Sequence, residues 1–559
     1  MLRTRISAVL TPMTRAYGSL GTFSLPKPPS EPMLNYAPGS PERAALAEAL
    51  TEVSGEVVDI PCVVNGEEVY TGDVVEQVMP TRHSHVLARV HRASQETVQA
   101  AIDASLEARA EWAAMPAEAR FAIFRKAADL VASKHRAKMC ATVMLGTGKN
   151  VWQAEIDAAV ETIDFFRFNT AFAEDIYAMQ PPQNAPGNWN RSEYRPLEGF
   201  VLAVSPFNFC AIGANLCTAP AMMGNTVVWK PASTAALGNY YVYNILREAG
   251  LPDGVINFVP GSGPVIGDTC LNSPHLGGLH FTGSTETFNS LSHAITSNYG
   301  KYVGYPRVVG ETGGKNFHFL HASADVRSAV NNTLRGAFEY QGQKCSATSR
   351  LYVPASLWDE VRDSLVAEMA NIKVGQPYEF DAFMTAVIDK SSFDNISRYL
   401  AAAAAAPDAE VLAGGSADDS EGYFVEPTLI HTTDPHFLTM EEEIFGPVLT
   451  AYVYDDDKFE ETLEVCASTS PYALTGAVFA RDADALLTAD AALKDAAGNF
   501  YVNDKSTGAV VGAQPFGGAR ASGTNDKAGS ALNLLRWVSA RTIKENYLPL
   551  DDWRYPHME

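Results

Sequence analysis

The sequence predicts an α/β protein with two lobes, each built on a mainly parallel sheet. The chain has 559 residues, which is more than a single hydrophobic core ordinarily holds. From Phe200 onward, short apolar runs alternate with helical segments, and this rhythm restarts after Gly310. Such alternation is typical of βαβ units around a buried parallel sheet, so we expect one lobe on either side of Gly310.

Composition and charge restrict the possible partners. Hydrophobic residues make up 46% of the chain and charged residues 19%, as in soluble globular proteins. The formal net charge of −23 argues against nucleic acid or an anionic membrane as a partner, which leaves a small-molecule substrate. The uncharged run Gly199–Trp229 is interrupted by prolines and asparagines. It therefore predicts a buried strand, turn and helix, not a membrane span.

Cysteine and histidine spacing indicates neither disulfides nor a metal site. The 7 cysteines are scattered without a Cys-x-x-Cys pair, which fits a reducing compartment. The close histidine pair, His83 and His85, lacks the spacing of ligands on one helix face, and we interpret it as part of a solvated loop. No metal is therefore expected.

The N-terminal segment 1–30 is basic. It has no acidic residue but contains Arg3, Arg5, Arg15 and Lys27, with frequent Ser and Thr. This pattern predicts a mitochondrial presequence over residues 1–17 and places the protein in the mitochondrial matrix. An ordinary disordered N-terminus is the alternative.

Several elements precede the first lobe. A Pro-rich arm leads to a short helix, and an Asn-Gly turn between apolar runs predicts a β-hairpin. Helical periodicity follows, and an isolated strand lies beyond a Pro-Pro break. These elements are, in order, the helix Pro41–Val53, the hairpin Cys62–Val69, the helices Ser94–Trp112, Ala117–Leu145 and Val151–Ala178, and the strand Ser192–Leu197.

Each lobe is predicted from its apolar strands and the helices between them. The first has strands Phe200–Val204, Thr226–Trp229, Val255–Val259 and Gly278–Phe281, with helices Ala214–Met222, Ala235–Ala249 and Pro264–Leu271. The second has strands Asn316–Leu320, Ser349–Val353 and Gly498–Asn503, with helices Ala324–Tyr340, Leu357–Ile372 and Ala401–Ala406. Ligands bind at the carboxyl ends of parallel strands, so we expect ligand loops after the strands of the first lobe, which we interpret as a nucleotide-type lobe.

Cys345 is the candidate nucleophile. It lies in a polar, glycine-containing turn between a predicted helix and a predicted strand, next to Lys344. A nearby cation and a helix end both favour the thiolate, which is the reactive form. The alternative is an ordinary small buried side chain.

Two further residues could assist a thiol nucleophile. Glu311 lies in a glycine-rich turn between the lobes, where partial burial would suit a general base; a structural turn is the alternative. Asn208 follows the first strand of the first lobe and offers an amide to a developing oxyanion; a helix-capping asparagine is the alternative.

Glycine and hydroxyl residues at strand ends indicate a dinucleotide. Gly283 and Ser284 follow one strand and could bring N–H groups to a pyrophosphate, while Lys230 follows another and could reach a ribose or phosphate. The run Gly261–Gly267 does not have the spacing of the dinucleotide fingerprint.

Together these motifs resemble the aldehyde dehydrogenase superfamily. The matching pieces, in family order, are Ser205-Pro206-Phe207-Asn208, Lys230-Pro231-Ala232, Phe281-Thr282-Gly283-Ser284, Glu311-Thr312-Gly313-Gly314-Lys315, Gly342-Gln343-Lys344-Cys345 and Glu443-Ile444-Phe445-Gly446-Pro447. The resemblance implies two Rossmann-type α/β lobes with parallel sheets and a small β oligomerisation flap. It also implies an NAD-binding domain (61–180 and 198–314) after an N-terminal arm (18–60), a catalytic domain (315–523), and a flap with a C-terminal tail (181–197 and 524–559).

The resemblance also implies roles for the residues. Cys345 attacks the aldehyde, Asn208 and the Cys345 N–H hold the oxyanion, and Glu311 activates the water that hydrolyses the thioester. Lys230 and Glu443 hold the two riboses of NAD, Ser284 holds the pyrophosphate, and Phe445 packs near the nicotinamide. Ser205, Phe207, Ser233 and Gly283 complete the implied cofactor site.

Within the family, Asp164–Asn169 and Asn503–Gly529 resemble the mitochondrial members that oxidise glutamate γ-semialdehyde. That resemblance implies an anchor for the substrate carboxylate, made by Ser346 and the backbone N–H groups of Gly508 and Ala509. Phe209 and Phe516 would enclose the aliphatic part, and Glu161 would face the ammonium or the entrance. For the two aromatic residues, an ordinary place in the core is the alternative.

Two residues depart from the pattern. Ala509 replaces a serine of the animal relatives, which removes one hydroxyl contact but keeps the backbone donors. Ser233 replaces a glutamate that many strictly NAD-dependent relatives use against a 2′-phosphate. NAD is the expected cofactor, and tolerance of NADP stays open.

The leading hypothesis is therefore NAD-dependent oxidation of glutamate γ-semialdehyde to glutamate in proline breakdown by a homodimer or higher homo-oligomer. Another carboxylated semialdehyde, such as succinate semialdehyde, is the near alternative. A thiol hydrolase and a non-catalytic NAD-binding scaffold are the alternatives from other classes.

Overall fold

The computed structural model describes residues 24–558. The presequence predicted over residues 1–17 lies outside them. The strands are, in chain order, β1 (Val58–Ile60), β2 (Cys62–Val64), β3 (Glu67–Val69), β4 (Val74–Met79), β5 (Arg82–His91), β6 (Asn188–Pro196), β7 (Phe200–Val204), β8 (Thr226–Lys230), β9 (Ile256–Phe258), β10 (Leu276–Thr282), β11 (Arg307–Glu311) and β12 (Asn316–Leu320). They continue with β13 (Thr348–Pro354), β14 (Ala409–Ala413), β15 (Ala417–Asp418), β16 (Phe424–Val425), β17 (Thr428–Thr432), β18 (Val448–Tyr454), β19 (Tyr472–Ala473), β20 (Thr475–Phe479), β21 (Asn499–Val502), β22 (Ala519–Arg520) and β23 (Val538–Asn546).

The helices confirm most of the predicted helical segments. They are α1 (Pro41–Ser54), α2 (Gln95–Ala114), α3 (Ala117–Leu130), α4 (Arg136–Thr147), α5 (Val151–Ala154), α6 (Thr162–Ala178), α7 (Cys210–Met222), α8 (Ala236–Ala249) and α9 (Gly263–Asn272). The rest are α10 (Thr285–Ser297), α11 (Val326–Phe338), α12 (Ala355–Met369), α13 (Lys390–Ala405), α14 (Leu438–Glu441), α15 (Phe459–Ser468), α16 (Ala483–Ala492) and α17 (Ala531–Leu535). Two π-helical turns, Val131–His135 and Glu155–Glu161, interrupt the long segments predicted to be continuous helices.

The first sheet has seven strands in the order β11-β10-β7-β8-β9-β2-β3. Strands β7 to β11 are parallel, and the β2–β3 hairpin joins the edge in antiparallel orientation. The hairpin turn confirms the Asn-Gly signal, since Asn65 (φ 51°) and Gly66 (φ 77°) are both left-handed. The buried strand β7 and helix α7 confirm the prediction of a buried strand, turn and helix for the uncharged run Gly199–Trp229. Among residues 24–558 we find no helix long and apolar enough to cross a bilayer.

The second sheet has seven strands in the order β14-β17-β18-β13-β12-β20-β21. All its pairs are parallel except β14–β17, at one edge. Both sheets are buried by helices, as mainly parallel sheets require. The prediction of two α/β lobes is confirmed.

Four smaller sheets, β1-β5-β4, β15-β16, β19-β22 and β23-β6, accompany the two large ones in residues 24–558. Strand β5 pairs with β1 and β4, so the interpretation of His83 and His85 as loop residues is wrong: both are half-buried in β5 and contact backbone oxygens at 3.0 Å. Strand β6, the predicted isolated strand, pairs with β23 near the C-terminus along its whole length. The two form a hairpin-like flap between distant parts of the chain.

Candidate active site

The candidate site lies between the carboxyl ends of strands in the first parallel sheet and the amino ends of β13 and β18 in the second. Strands β7, β8, β10 and β11 end at Val204, Lys230, Thr282 and Glu311, and the turn before β13 carries Cys345. One cavity in this region is lined by eight of the predicted residues: Glu161, Phe209, Glu311, Cys345, Ser346, Gly508, Ala509 and Phe516. The first three belong to the first sheet and the elements before β12, and the others belong to the second lobe, so the two lobes share the cavity.

The turn that presents Cys345 is held rigidly from several sides. Tyr340, Gln341 and Gly342 are all left-handed, with φ of 54°, 56° and 67°. A Cβ on Gly342 would lie 2.2 Å from the oxygen of Gly446, so this position requires glycine. Gln341 Nε2 donates to the oxygens of Gly148 and Ala386 at 2.9 and 2.8 Å, which fixes the turn against other elements.

Cys345 is the one partly exposed cysteine in residues 24–558. The other six cysteines are buried, whereas Cys345 stays partly exposed through the cavity. The carboxylate Oε1 of Glu311 lies 3.9 Å from its Sγ atom. The reading of Cys345 as an ordinary buried side chain is therefore wrong, because its thiol faces a cavity and a carboxylate.

Burial controls the protonation of this pair. It raises the pKa of Glu311 to about 8, while the Lys527 ammonium lowers it in part. Burial and the facing Glu311 carboxylate raise the pKa of the Cys345 thiol well above its usual range. The prediction that Lys344 favours the thiolate is wrong, since its Nζ lies 2.9 Å from Glu339 Oε2 in a buried ion pair. Glu311, with Oε1 3.9 Å from Sγ, is the carboxylate placed to accept the proton of the thiol.

Asn208 is fixed against the turn Gln341–Ser346, which carries Cys345 and is named the nucleophile turn. Its Nδ2 donates to the backbone oxygen of Gln343 at 3.1 Å, two residues before Cys345, and the side chain is buried. The alternative of a helix-capping asparagine does not hold, because α7 begins after Phe209 and has no side-chain cap. A second amide hydrogen of Asn208 remains for another acceptor.

The predicted cofactor residues surround the carboxyl ends of β8, β10 and β11. Lys230 is largely buried, and its Nζ donates to the oxygen of Pro231 at 3.2 Å; burial lowers its pKa. Ser284 caps α10 by accepting from the Thr287 N–H at 3.3 Å. Glu443 accepts from the Gly314 N–H at 2.8 Å, and burial raises its pKa to about 7.

The remaining predicted cofactor residues have structural contacts of their own. Ser205 is buried, and its Oγ accepts from Trp229 Nε1 at 3.0 Å. The rings of Phe207 and Phe445 meet edge to face with centroids 5.8 Å apart. Ser233 begins a short 3₁₀ turn after β8, and the Gly283 N–H donates to the oxygen of Glu311 at 3.2 Å.

The anchor loop, Ser506 to Ala509, follows β21 and is tied to the nucleophile turn. Ser346 Oγ donates to Thr507 Oγ1 at 2.8 Å, and Ser506 Oγ donates to the oxygen of Ser346 at 3.1 Å. Gly508 is left-handed with φ of 108°. Within residues 24–558, the N–H groups of Gly508 and Ala509 donate to no protein acceptor, so both remain for an anion.

A model of the aldehyde dehydrogenase family matches residues 69–543 of the chain. The chain belongs to the aldehyde dehydrogenase family. The delta-1-pyrroline-5-carboxylate dehydrogenase, mitochondrial, of Dictyostelium discoideum is 57% identical over 560 residues, covering 100% of this chain and 99% of that protein. The human protein of the same name is 54% identical over 531 residues, covering 95% of this chain and 94% of its own.

Solved structures give the same relationship. The delta-pyrroline-5-carboxylate dehydrogenase from Mycobacterium tuberculosis, determined with bound NAD, matches with a TM-score of 0.94 and 48% identity, covering 97% of this chain and 100% of its own. A 1-pyrroline-5-carboxylate dehydrogenase from Thermus matches with a TM-score of 0.88 and 32% identity, covering 94% of this chain and 100% of its own. The aldehyde dehydrogenase-like fold expected from the sequence is confirmed.

The residues of this aldehyde dehydrogenase fit a dinucleotide. Hydroxyl groups of a ribose need carboxylate or ammonium partners, and Glu443 and Lys230 each retain bonding capacity beyond their single backbone contact. The N-terminus of α10, at the end of β10, supplies N–H groups for a pyrophosphate. The donor and acceptor set therefore matches the chemistry of NAD.

Sequence reasoning missed four charged residues of this aldehyde dehydrogenase. Lys505 and Lys527 line the cavity, and Lys149 forms a fully buried ion pair with Asp157, with Nζ 2.7 Å from Oδ2. Lys505 and Lys527 lie in the stretch Asn503–Gly529, which resembles the members that oxidise glutamate γ-semialdehyde. That resemblance is the sequence signal that could have identified them. Nothing in the sequence indicated that Lys149 and Asp157 pair beneath the site.

Proposed function

We propose that this chain oxidises L-glutamate γ-semialdehyde, the open form of Δ1-pyrroline-5-carboxylate, to L-glutamate with NAD in proline breakdown. One observation carries the proposal: the same cavity holds the Cys345–Glu311 pair and, beside it, an anchor loop with unengaged N–H groups. The substrate has an aldehyde at one end and a carboxylate at the other, and the cavity provides for both. The names of the relatives at 57% and 54% identity support the same substrate.

The reaction begins at Cys345. Glu311 takes the thiol proton, and Sγ attacks the aldehyde carbon to form a thiohemiacetal. The oxyanion accepts hydrogen bonds from the amide of Asn208 and the N–H of Cys345. NAD, when bound, takes up the hydride that leaves this carbon. The carbon is thereby oxidised to a thioester on Cys345, and Asn208 keeps the carbonyl oxygen oriented.

Glu311 then acts a second time. The proton that Glu311 took from Cys345 must first pass to solvent. The free carboxylate then removes a proton from water. The resulting hydroxide adds to the thioester carbon, and the C–S bond breaks to release glutamate and regenerate Cys345. The high pKa of Glu311 suits this role, because a base with a pKa near the working pH is both available and strong.

The substrate would be held along the cavity. Gly508, Ala509 and Ser346 bind the α-carboxylate, and Phe209 and Phe516 enclose the aliphatic chain. Glu161 lines the same cavity, and its buried Oε2 has no hydrogen-bond partner among residues 24–558, which suits an ammonium group. Burial raises the pKa of Glu161, and the nearby Lys149 and Lys344 oppose that effect.

NAD is the cofactor we assign, and Ser233 leaves room for use of NADP. We also propose the mitochondrial matrix as the location, in line with the names of the relatives. A homodimer or higher homo-oligomer would assemble through the β6–β23 flap and the residues after Asn546. Exposed aromatic side chains in that region, Trp189, Trp553 and Tyr555, support an interface there.

The test is NADH formation from Δ1-pyrroline-5-carboxylate by wild type and Cys345→Ala. We expect turnover by the wild type and none by the variant. Cys466→Ala, which changes a buried cysteine outside the site, is the matched control and should keep activity. Turnover by Cys345→Ala would exclude the thioester mechanism. A higher kcat/KM for succinate semialdehyde than for Δ1-pyrroline-5-carboxylate would contradict the assignment of glutamate γ-semialdehyde as the substrate.

A further inference from the structure

Lys505 occupies an unusual position beside the anchor loop. Its Nζ donates to the oxygen of Thr507 at 2.9 Å, and a Cβ on Gly508 would lie 2.5 Å from the same Nζ. The missing side chain of Gly508 therefore leaves the space that the ammonium fills. Lys505 lines the cavity that contains Cys345.

The charges around the cavity leave Lys505 without a carboxylate. Lys344 lies 2.9 Å from Glu339, and Asp526 pairs with Arg536 at 3.3 Å. Lys527, on the Glu311 side, is held by three protein oxygens. Over residues 24–558, no carboxylate lies within 4.0 Å of the Lys505 ammonium. One of its three N–H donors is engaged by Thr507, so the others remain for a ligand.

Lys505 is half-buried, and the carboxylate that acts on it most, Glu339, is already paired with Lys344. Its charge is therefore only partly compensated, and an anion that binds beside it would complete the compensation. The neighbouring N–H groups of Gly508 and Ala509 provide donors but no net charge. We propose that Lys505 is a specificity-determining residue whose ammonium is the counter-charge for the carboxylate of the substrate. This inference rests on the proposed function and adds the group that distinguishes a carboxylated aldehyde from a neutral one.

The experiment compares two substrates in three variants. Wild type, Lys505→Arg, Lys505→Gln and Lys505→Met are assayed with Δ1-pyrroline-5-carboxylate and with pentanal, a neutral aldehyde of the same carbon number. The ratio of the two kcat/KM values is the readout. Loss of one charge-assisted contact predicts that this ratio falls roughly 10- to 100-fold in Lys505→Met. Lys505→Arg should retain most of the ratio.

Lys505→Gln separates charge from loop positioning. Glutamine can still donate to the oxygen of Thr507 but carries no charge, so the proposal expects it to behave like Lys505→Met. A wild-type ratio in Lys505→Gln would overturn the proposal and assign Lys505 a purely structural role. An unchanged ratio in Lys505→Met would also overturn it. If Lys505→Met loses activity with both aldehydes, the ratios of Lys505→Arg and Lys505→Gln still show whether the charge of Lys505 sets the substrate preference.

The two hypotheses fail in different ways. If the proposed function is wrong, wild type itself does not oxidise Δ1-pyrroline-5-carboxylate. If only the role of Lys505 is wrong, wild type oxidises it and the uncharged variants keep the preference for the carboxylated substrate.

Discussion

The Sγ atom of Cys345 lies 3.9 Å from Oε1 of Glu311, and the two residues come from different lobes. Glu311 ends β11 in the first sheet, whereas Cys345 precedes β13 in the second. The nucleophile and its base are therefore brought together only when both lobes dock. Burial raises the pKa of both groups, so each favours its neutral form.

Activity is expected to rise with pH through about 8, the pKa of Glu311. Glu311 acts as a base and must be unprotonated, and burial raises its pKa, so the active form is populated above that pH and lost below it. Glu311→Gln should remove this rise and lower kcat roughly 100-fold or more, as for other general bases. The measurement is the pH dependence of kcat. Glu360→Gln, on the exposed surface of α12, should leave the profile unchanged. A flat wild-type profile would contradict the assignment of Glu311.

Gly508→Ala is expected to raise KM for Δ1-pyrroline-5-carboxylate by roughly tenfold, since a left-handed non-glycine residue costs about 1–2 kcal/mol. The φ of 108° is unfavourable for alanine, and the new Cβ would displace the Lys505 ammonium. Steady-state kinetics measure the effect. Gly263→Ala is the control, because its Cβ would meet no atom within 4 Å. Equal KM values in both variants would show that the anchor loop tolerates a side chain.

Ala509→Ser is expected to lower KM for the same substrate several-fold, because a hydroxyl adds one hydrogen bond worth about 1 kcal/mol to the carboxylate. The backbone N–H groups of the loop already remain unengaged in the part of the chain that the structure covers, so the serine only adds to an existing site. The KM of this variant is measured from the rate of NADH formation at a series of Δ1-pyrroline-5-carboxylate concentrations. A higher KM in this variant would place the carboxylate elsewhere.

Lys149→Met is expected to destabilise the fold by about 3–5 kcal/mol, because it leaves Asp157 charged and buried without its partner. Asp157 also accepts from the N–H groups of Cys210 and Ala211 at the start of α7, and Lys149 Nζ lies 3.8 Å from the Phe209 ring centre. Because Phe209 is a proposed substrate contact, the loss of Lys149 should also raise KM.

The urea midpoint and KM of this variant measure both effects. Lys134→Met is the matched control: Lys134 pairs with Glu248 on the surface, where an ion pair contributes about 0–1 kcal/mol. Similar urea midpoints for the two lysine variants would contradict a special role of the buried pair.

Local signals in the sequence were sufficient for much of the fold. The Asn65-Gly66 turn and the start of α2 depend on neighbouring residues; the turn is found where predicted, and α2 begins at Gln95, one residue after the predicted start. Helix α10 was missed although Ser284 caps it, because the glycine and hydroxyl residues there were interpreted only as a phosphate loop. Strands β4 and β5 were missed because their half-buried, polar residues lack a clear apolar face.

The site was predictable where residues act alone and not where they act in pairs. Cys345, Glu311 and Asn208 were predicted from motifs, and the structure places Glu311 and Asn208 in contact with the turn that carries Cys345. The partner of Lys344 could not be identified, because the backbone reverses at Tyr340 and Gln341 and brings Glu339 to its ammonium. Lys505 could not be assigned either, since its position depends on the space that Gly508 leaves. Division of the chain into domains at residues 180, 198 and 314 stays a prediction.

The pairing of β23 with β6 joins residues near the C-terminus to residues about 350 positions earlier. Trp537, just before β23, is buried in the core of the first lobe against the ring of His280. The first lobe therefore lacks part of its interior until the last residues of the second have been synthesised. A polypeptide that stops before Trp537 would therefore leave part of the first lobe's core exposed to chaperones and proteases, even after the second sheet is complete at β21.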